Sequence, residues 1–156
     1  MNKLIAVIVV VSSLFMFCGN VYAPTYTPPE APEIISIEPY FSLTDEERTI
    51  VECIVMGESG GEPYEGQMLV AQCLLNACLK DGLQPSEVRT RYKYSGWNEN
   101  PTESVQEAVR VVFDVGETIT DEPILFFYAP KWCNGSWHET QIFVCEVGGH
   151  KFFKAR

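Results

Sequence analysis

Three carboxylates surround a glycine turn in the stretch Gly57-Glu58-Ser59-Gly60-Gly61-Glu62-Pro63-Tyr64-Glu65-Gly66-Gln67. Steps of three, four and seven back from Glu58 reach Val55, Ile54 and Val51, so helical spacing puts this carboxyl on an apolar stripe that should face a core. Burial disfavours the ionised form of a carboxyl, so a group placed there suits general-acid work, such as protonating the leaving oxygen of a glycoside. A carboxylate at the C-terminal end of a helix also opposes the helix dipole, so capping does not account for Glu58. Glu62 and Glu65 differ. They fall in the first turn of the following helix, where negative charge is favoured, and capping is the simpler account of both.

A second constellation is Cys133, His138, Cys145 and His150, spaced C-x4-H-x6-C-x4-H and holding both histidines of the chain. Two thiols and two imidazoles have the composition of a zinc set. Their order and gaps depart from the familiar structural-zinc patterns, and a Cys133–Cys145 disulfide, the one natural hairpin pair, would consume half the ligands. The expectation is therefore no metal and no cofactor, with His150 either orienting a catalytic group or bonding a backbone carbonyl. The aromatic residues Tyr94, Trp97, Phe127, Tyr128, Trp132 and Trp137 are suited either to core packing or to lining a sugar groove, where apolar sugar faces stack on rings. No nucleophile elbow, phosphate-cradling glycine loop or paired-histidine helix motif is present.

The elements that must position these residues follow from local signals. Thr44 and Glu47 form a capping box, and the helix they open runs through Ile50, Val51, Ile54 and Val55 to Glu58, where Gly60 and Gly61 stop it. Pro63 fits the start of a second helix carrying Met68, Leu69, Ala71, Leu74, Leu75 and Cys78 and ending at Asp81-Gly82, so the two should pack as a hairpin. The polar, aromatic segment from Pro85 to Asn98 has no clean period and reads as a loop with one short turn at most. Asn100, Pro101 and Glu103 mark a third helix, which ends before Gly116. Beyond it, Ile124 to Tyr128 and the alternating Ile142 to Val147 read as strands, with Asn134-Gly135 as a turn between them and Gly148-Gly149 as a bend before His150. Helices followed by a short antiparallel sheet give an α+β class.

The first 23 residues read as an export segment, with Lys3 ahead of the apolar run Leu4 to Phe17 and a small-residue site at Val21-Tyr22-Ala23. Pro24 disfavours cleavage after Ala23, so both a cleaved signal and an uncleaved membrane anchor are open. The bulky Phe15-Met16-Phe17 argues against acylation at Cys18. Four prolines among the ten residues from Pro24 to Glu33 make 24–38 a stiff spacer ahead of a domain at 39–156. Export permits disulfides, but Cys53, Cys73 and Cys78 lie in apolar helical patterns and read as core residues. With 11 basic against 21 acidic residues, the net charge of −10 disfavours a phosphate backbone as partner, so no nucleic acid is expected. Anionic wall polymers would have to be held by hydrogen bonds and stacking.

At these residues the chain resembles the SleB/CwlJ family of cell-wall hydrolases, named for bacterial enzymes that degrade spore-cortex peptidoglycan. Gly61-Glu62-Pro63-Tyr64-Glu65-Gly66-Gln67 resembles the family signature, and Leu75-Asn76 is similar to a pair in the next helix. Leu125-Phe126-Phe127-Tyr128-Ala129-Pro130 is similar to an aromatic strand ending in Tyr-Asn-Pro, and Val147-Gly148-Gly149-His150-Lys151-Phe152 to a closing Gly-x-His-x-Phe pattern. The resemblance implies a small lysozyme-like or lytic-transglycosylase-like domain, peptidoglycan glycan strands as partner, and Glu58 as catalytic acid. Where the family usually has alanine and arginine around that glutamate, this chain has Gly57, Ser59 and Gly60, and Ala77 replaces a common arginine.

The expected activity is cleavage between N-acetylmuramic acid and N-acetylglucosamine, as a lytic transglycosylase with Glu58 as single acid and base. Hydrolysis of the same bond and a non-catalytic wall-binding module are the alternatives. Glu62, Gln67, Asn76, Trp97, Tyr128 and His150 are the expected substrate contacts or supports of Glu58. The expected location is the wall, the exterior, or the outer face of the cytoplasmic membrane.

Overall fold

The computed structural model describes residues 38–156. The expected export segment, Cys18 and all of the spacer before Glu38 lie outside the described residues, among which no helix is long and apolar enough to cross a membrane. The described chain enters beside Phe113 and Asp114, with Tyr40 N–H donating to Asp114 O at 2.9 Å and Phe41 N–H to Phe113 O at 2.8 Å.

Helix α1 spans Asp45–Ser59 and opens on the expected capping box: Thr44 Oγ1 accepts from Glu47 N–H while the Glu47 carboxylate accepts from Thr44 N–H. Such a cap stabilises a helix start by about 1 kcal/mol. Helix α2 spans Tyr64–Asp81 and is the centre of the fold formed by the described residues. Every residue from Gly66 to Leu75 is buried, which is how a helix packed on all sides reads. Gly82, at φ 66, caps it in the left-handed region with its N–H on Cys78 O. Cys53, Cys73 and Cys78 are buried core residues as expected, and desolvation pushes the Cys78 thiol up to about 12 and Cys73 well above its usual value. Both thiols are therefore neutral and inert at physiological pH.

The segment expected to be mostly loop contains helix α3, Pro85–Tyr92. Its start is capped by Glu87, whose carboxylate accepts from Gln84 N–H at 3.0 Å, with Pro85 in the first turn, and only Pro85 and Val88 are buried. So few apolar residues leave no period to read, although the cap was written in the sequence. Helix α4, Glu103–Arg110, takes Thr102 rather than Asn100 as its cap and continues through a π-turn at Val111–Val115 to Gly116, at φ 79.

Strands β1 (Ile124–Tyr128), β2 (Ile142–Val147) and β3 (His150–Lys154) form an antiparallel sheet in the order β1-β3-β2. The last strand is central, pairing Phe127 with Phe152 on one side and Val147 with His150 on the other. Asn134-Gly135 consequently does not turn one strand into its neighbour. Residues 129–141 fold over the sheet instead, with a short helical turn at His138–Thr140, Trp137 edge-on to Phe126 at 4.9 Å and His138 against Tyr128 at 5.0 Å. With β3 between β1 and β2, the expected Cys133–Cys145 hairpin pair is not formed, and both are free thiols. Buried Gln72 and half-buried Asn76 tie α2 to the sheet's entry: Gln72 Nε2 donates to Thr120 O at 2.6 Å and Asn76 Nδ2 to Ile124 O at 2.9 Å.

Candidate active site

The apolar stripe of α1 forms as expected, with Val51, Ile54 and Val55 fully buried, but it ends on Ser59 rather than on Glu58. Ser59 is buried and its Oγ donates to Val55 O at 3.0 Å. Glu58 is half-buried and turns toward the segment between α3 and α4, where its Oε1 accepts a hydrogen bond from Gly96 N–H at 2.5 Å. The other oxygen makes no hydrogen bond within the described residues.

The segment that holds Glu58 is fixed at several points. Lys93 ends α3 in the left-handed region at φ 59, a conformation that costs a non-glycine residue roughly 1 kcal/mol. Tyr94 is then buried, its hydroxyl donating to Leu125 O at 3.1 Å and its ring stacked on Phe127 at 5.5 Å. Burial holds the Tyr94 phenol well above its usual range, so it stays a neutral donor. Asn98 N–H closes the segment onto Cys53 O at 3.0 Å. Between these anchors the backbones of α1 and the segment touch directly. A Cβ on Gly57 would lie 2.0 Å from Trp97 N, and one on Gly96 would lie 2.5 Å from Glu58 N. Both positions therefore require glycine.

Glu62 is neither a cap of α2 nor an open second carboxylate. It precedes the N-cap residue Pro63 and reaches across to the β2–β3 turn, where its Oε2 accepts from Gly149 N–H at 2.6 Å. Gly148, at φ 60, lies so close that a Cβ there would come 1.8 Å from Glu62 Oε2. His150 is buried, and its Nδ1 stands 3.4 Å from Glu62 Oε1 at an angle that makes no hydrogen bond. Gln67 is buried beneath this latch, donating to Glu62 O at 3.1 Å and accepting from Ser104 Oγ at 2.7 Å. Glu65 is exposed on the first turn of α2.

The remaining expected residues divide. Trp97 is 39% exposed and adjoins the anchor of Glu58, with its Nε1 on Glu99 Oε1 at 3.4 Å. Asn76 holds β1 to α2, as above. Tyr128 is buried, donates its hydroxyl to Glu139, and carries Gly135 against its ring. That bond raises the Tyr128 phenol, while the same bond together with Lys151 Nζ at 3.0 Å holds the Glu139 carboxyl below the usual range. Among the described residues no group of three or more histidine, cysteine or acidic side chains is placed to hold a metal, so Cys133, His138, Cys145 and His150 do not assemble as a zinc set. A cavity of about 510 Å³ between α1 and α4 includes none of the candidate residues, and its cations are paired, Arg48 with Asp114 and Arg110 with Glu107, each at 2.7 Å.

Gly57, Gly96, Tyr94 and the Gly149 amide are the supports of the site that side-chain chemistry alone did not single out for that role. Their one signal is glycine at a helix end and glycine in an aromatic segment, which meet only in three dimensions.

Helices followed by a three-stranded antiparallel sheet, with an anchored glutamate at the end of the first helix, define a small α+β catalytic-domain fold. That fold is the one of SleB catalytic domains. The catalytic domain of the germination-specific lytic transglycosylase SleB from Bacillus anthracis superposes with a TM-score of 0.59 at 22% identity, covering 72% of this chain and 98% of that one. The catalytic domain of the Bacillus cereus SleB protein does so with a TM-score of 0.61 at 25% identity, covering 76% of this chain and 97% of that one. No protein-family model matches the chain, and no curated protein matches it in sequence.

Proposed function

We propose that the chain is an exported peptidoglycan glycosidase that cuts between N-acetylmuramic acid and N-acetylglucosamine as a lytic transglycosylase, with Glu58 as its single acid and base. In the first step the Glu58 carboxyl gives its proton to the glycosidic oxygen while the bond from that oxygen to the muramoyl C1 breaks, its electron pair leaving with the oxygen. In the second step the Glu58 carboxylate takes the proton of the muramoyl C6 hydroxyl, whose oxygen closes on C1. The product is a 1,6-anhydro sugar, Glu58 regains its proton, and no water is consumed.

The observation that carries this reading is the contrast between the carboxylates. Glu58 is anchored through one oxygen only, which leaves the other for the substrate. Glu62 gives one oxygen to the Gly149 amide and turns the other toward His150, so it is engaged in holding the turn. A one-carboxyl reaction needs no more than Glu58 supplies, whereas hydrolysis ordinarily uses two carboxyls about 5 to 9.5 Å apart. The shared fold with a domain described as a lytic transglycosylase points the same way.

Hydrolysis is the second reading, and Glu99 is what favours it: its carboxylate accepts from the indole Nε1 of Trp97, the residue that follows the Glu58 anchor Gly96. The export segment at 1–23, the spacer at 24–38 and the catalytic domain at 39–156 belong to the proposal, as does delivery to the wall by secretion or by an N-terminal anchor. Trp97 is assigned to the substrate, and Gln67, Asn76 and Glu62 to keeping the site in shape. The test is digestion of purified peptidoglycan by the wild type and by Glu58→Gln, with released fragments counted. The proposal expects release by the wild type and at least a hundredfold less by the variant. Equal release by both would remove Glu58 from the chemistry, and no release by the wild type would favour a binding module.

A further inference from the structure

The helices carry four arginines, and three of them sit against carboxylates: Arg48 on Asp114 at 2.7 Å, Arg91 on Asp81 at 2.6 Å and Arg110 on Glu107 at 2.7 Å. In a chain of net charge −10, acidic partners are plentiful. Arg89, on α3, makes no ion pair among the described residues. Its guanidinium lies over the ring of Trp97 instead, 4.4 Å from the centroid. No side-chain N–H of Arg89 donates a hydrogen bond or forms an ion pair among the described residues, so the donors of a cation held over an indole remain for a carboxylate, which a guanidinium receives by two parallel hydrogen bonds.

Placement makes this cation relevant to Glu58. Trp97 directly follows Gly96, whose N–H anchors the Glu58 carboxylate, and Trp97 N is the atom nearest to where a Gly57 side chain would begin. Arg89 is half-buried, so a charge meeting it there is screened less than on an open surface. Glu99, two residues past Trp97, accepts from the indole Nε1 and is not paired with Arg89. The overall negative charge repels an anionic glycan, so a cation kept free at this point has a definite use.

We infer that Arg89, stacked on Trp97, forms a subsite beside Glu58 for a carboxylate of the glycan strand, carried either by the lactyl ether of muramic acid or by the stem peptide. The inference rests on the function proposed above, because it takes that glycan as the ligand. Carboxylate recognition would set which strands are accepted, whereas the acid and base chemistry stays with Glu58.

The experiment measures binding in the Glu58→Gln protein, which holds strands without cutting them, by calorimetry against three preparations. One keeps its stem peptides, one has them removed to leave lactyl carboxylates, and one has those carboxylates amidated. The expected result is at least tenfold tighter binding of a carboxylate-bearing preparation than of the amidated one. Adding Arg89→Gln should abolish the preference, and adding Arg89→Lys should restore part of it. Whichever preparation shows the Arg89-dependent preference identifies the source of the carboxylate. A preference that survives Arg89→Gln, or no preference with Arg89 in place, overturns the inference. Cleavage of the amidated strands by the protein with Glu58 intact is scored separately. Cleavage without a carboxylate preference leaves the proposed function standing and removes the subsite, and a preference without cleavage does the reverse.

Discussion

Gly57→Ala gives the sharpest prediction, because the crossing at Glu58 reverses the sign that a helix glycine would ordinarily carry. Replacing glycine by alanine inside a helix stabilises a protein by roughly 0.5 to 1 kcal/mol when nothing opposes the methyl group. Here the added Cβ would sit 2.0 Å from Trp97 N, 2.4 Å from Gly96 C and 2.6 Å from Trp97 Cα, where ordinary contact begins at 3.4 Å. The neighbours are backbone atoms, so the whole segment must retreat by about 1.4 Å to reach ordinary contact. A retreat of that size lengthens the 2.5 Å bond from Gly96 N–H to Glu58 Oε1 beyond hydrogen-bond range and strains that of Asn98 N–H to Cys53 O. Overpacking of this kind costs about 1 to 3 kcal/mol, and a 1 Å misplacement of a reacting group costs on the order of a hundredfold in rate. Urea unfolding of Gly57→Ala should therefore show a loss of about 1 to 3 kcal/mol. Peptidoglycan turnover should fall roughly a hundredfold in kcat, in proportion to the lost placement of Glu58. A stabilised variant with wild-type kcat would refute the crossing and, with it, the account of how Glu58 is held.

The remaining predictions concern the latch, the histidine over the sheet and the thiols. Gly148→Ala places a Cβ 1.8 Å from Glu62 Oε2 at a φ of 60, so chemical denaturation should show a loss of at least about 1 kcal/mol, and no loss would dissolve the latch between Glu62 and the β2–β3 turn. Burial holds His138 below its ordinary 6.5, so its ring protons should titrate in NMR with a midpoint under that value. The linkage sign follows: the unfolded chain binds more protons just below pH 6.5, so this group's contribution to stability is intact above 6.5 and lost as pH falls toward the folded value. His138→Gln should flatten the stability profile in that window, and an unchanged slope would contradict the assignment. Alkylation of the native protein should label exposed Cys133 first and reach Cys73 only on unfolding, whereas protection of Cys133 without reductant would indicate a bridge that the sheet order opposes.

Much of the fold was legible because it follows local rules. Thr44 and Glu47 announce α1, the Gly82 cap closes α2, and the apolar runs Ile124–Tyr128 and Ile142–Val147 mark two strands. What escaped was non-local or weakly patterned. Helix α3 buries only Pro85 and Val88, so its start at Pro85 and Glu87 stood without a stripe behind it. The central place of β3 depends on sheet pairing that no spacing of residues encodes, and it is why Cys133 and Cys145 do not meet as a hairpin pair. The site shows the same division. Helix phase placed Glu58 on the buried stripe, whereas Ser59 takes that position and Glu58 stays half-buried at the helix end, one residue out of the expected phase. Its anchor at Gly96 and the latch from Glu62 to Gly149 join residues 38 and 87 positions apart, which a one-dimensional pattern cannot pair.

The central claim is that Glu58 alone closes the muramoyl ring without water. Digestion of peptidoglycan by the wild-type protein in water enriched in oxygen-18, with mass spectrometry of the new ends, tests it most directly. The account predicts 1,6-anhydromuramoyl ends that carry no label and that disappear with Glu58→Gln. Reducing ends carrying one labelled oxygen would contradict it and show that a water, activated by a second group such as Glu99, completes the reaction.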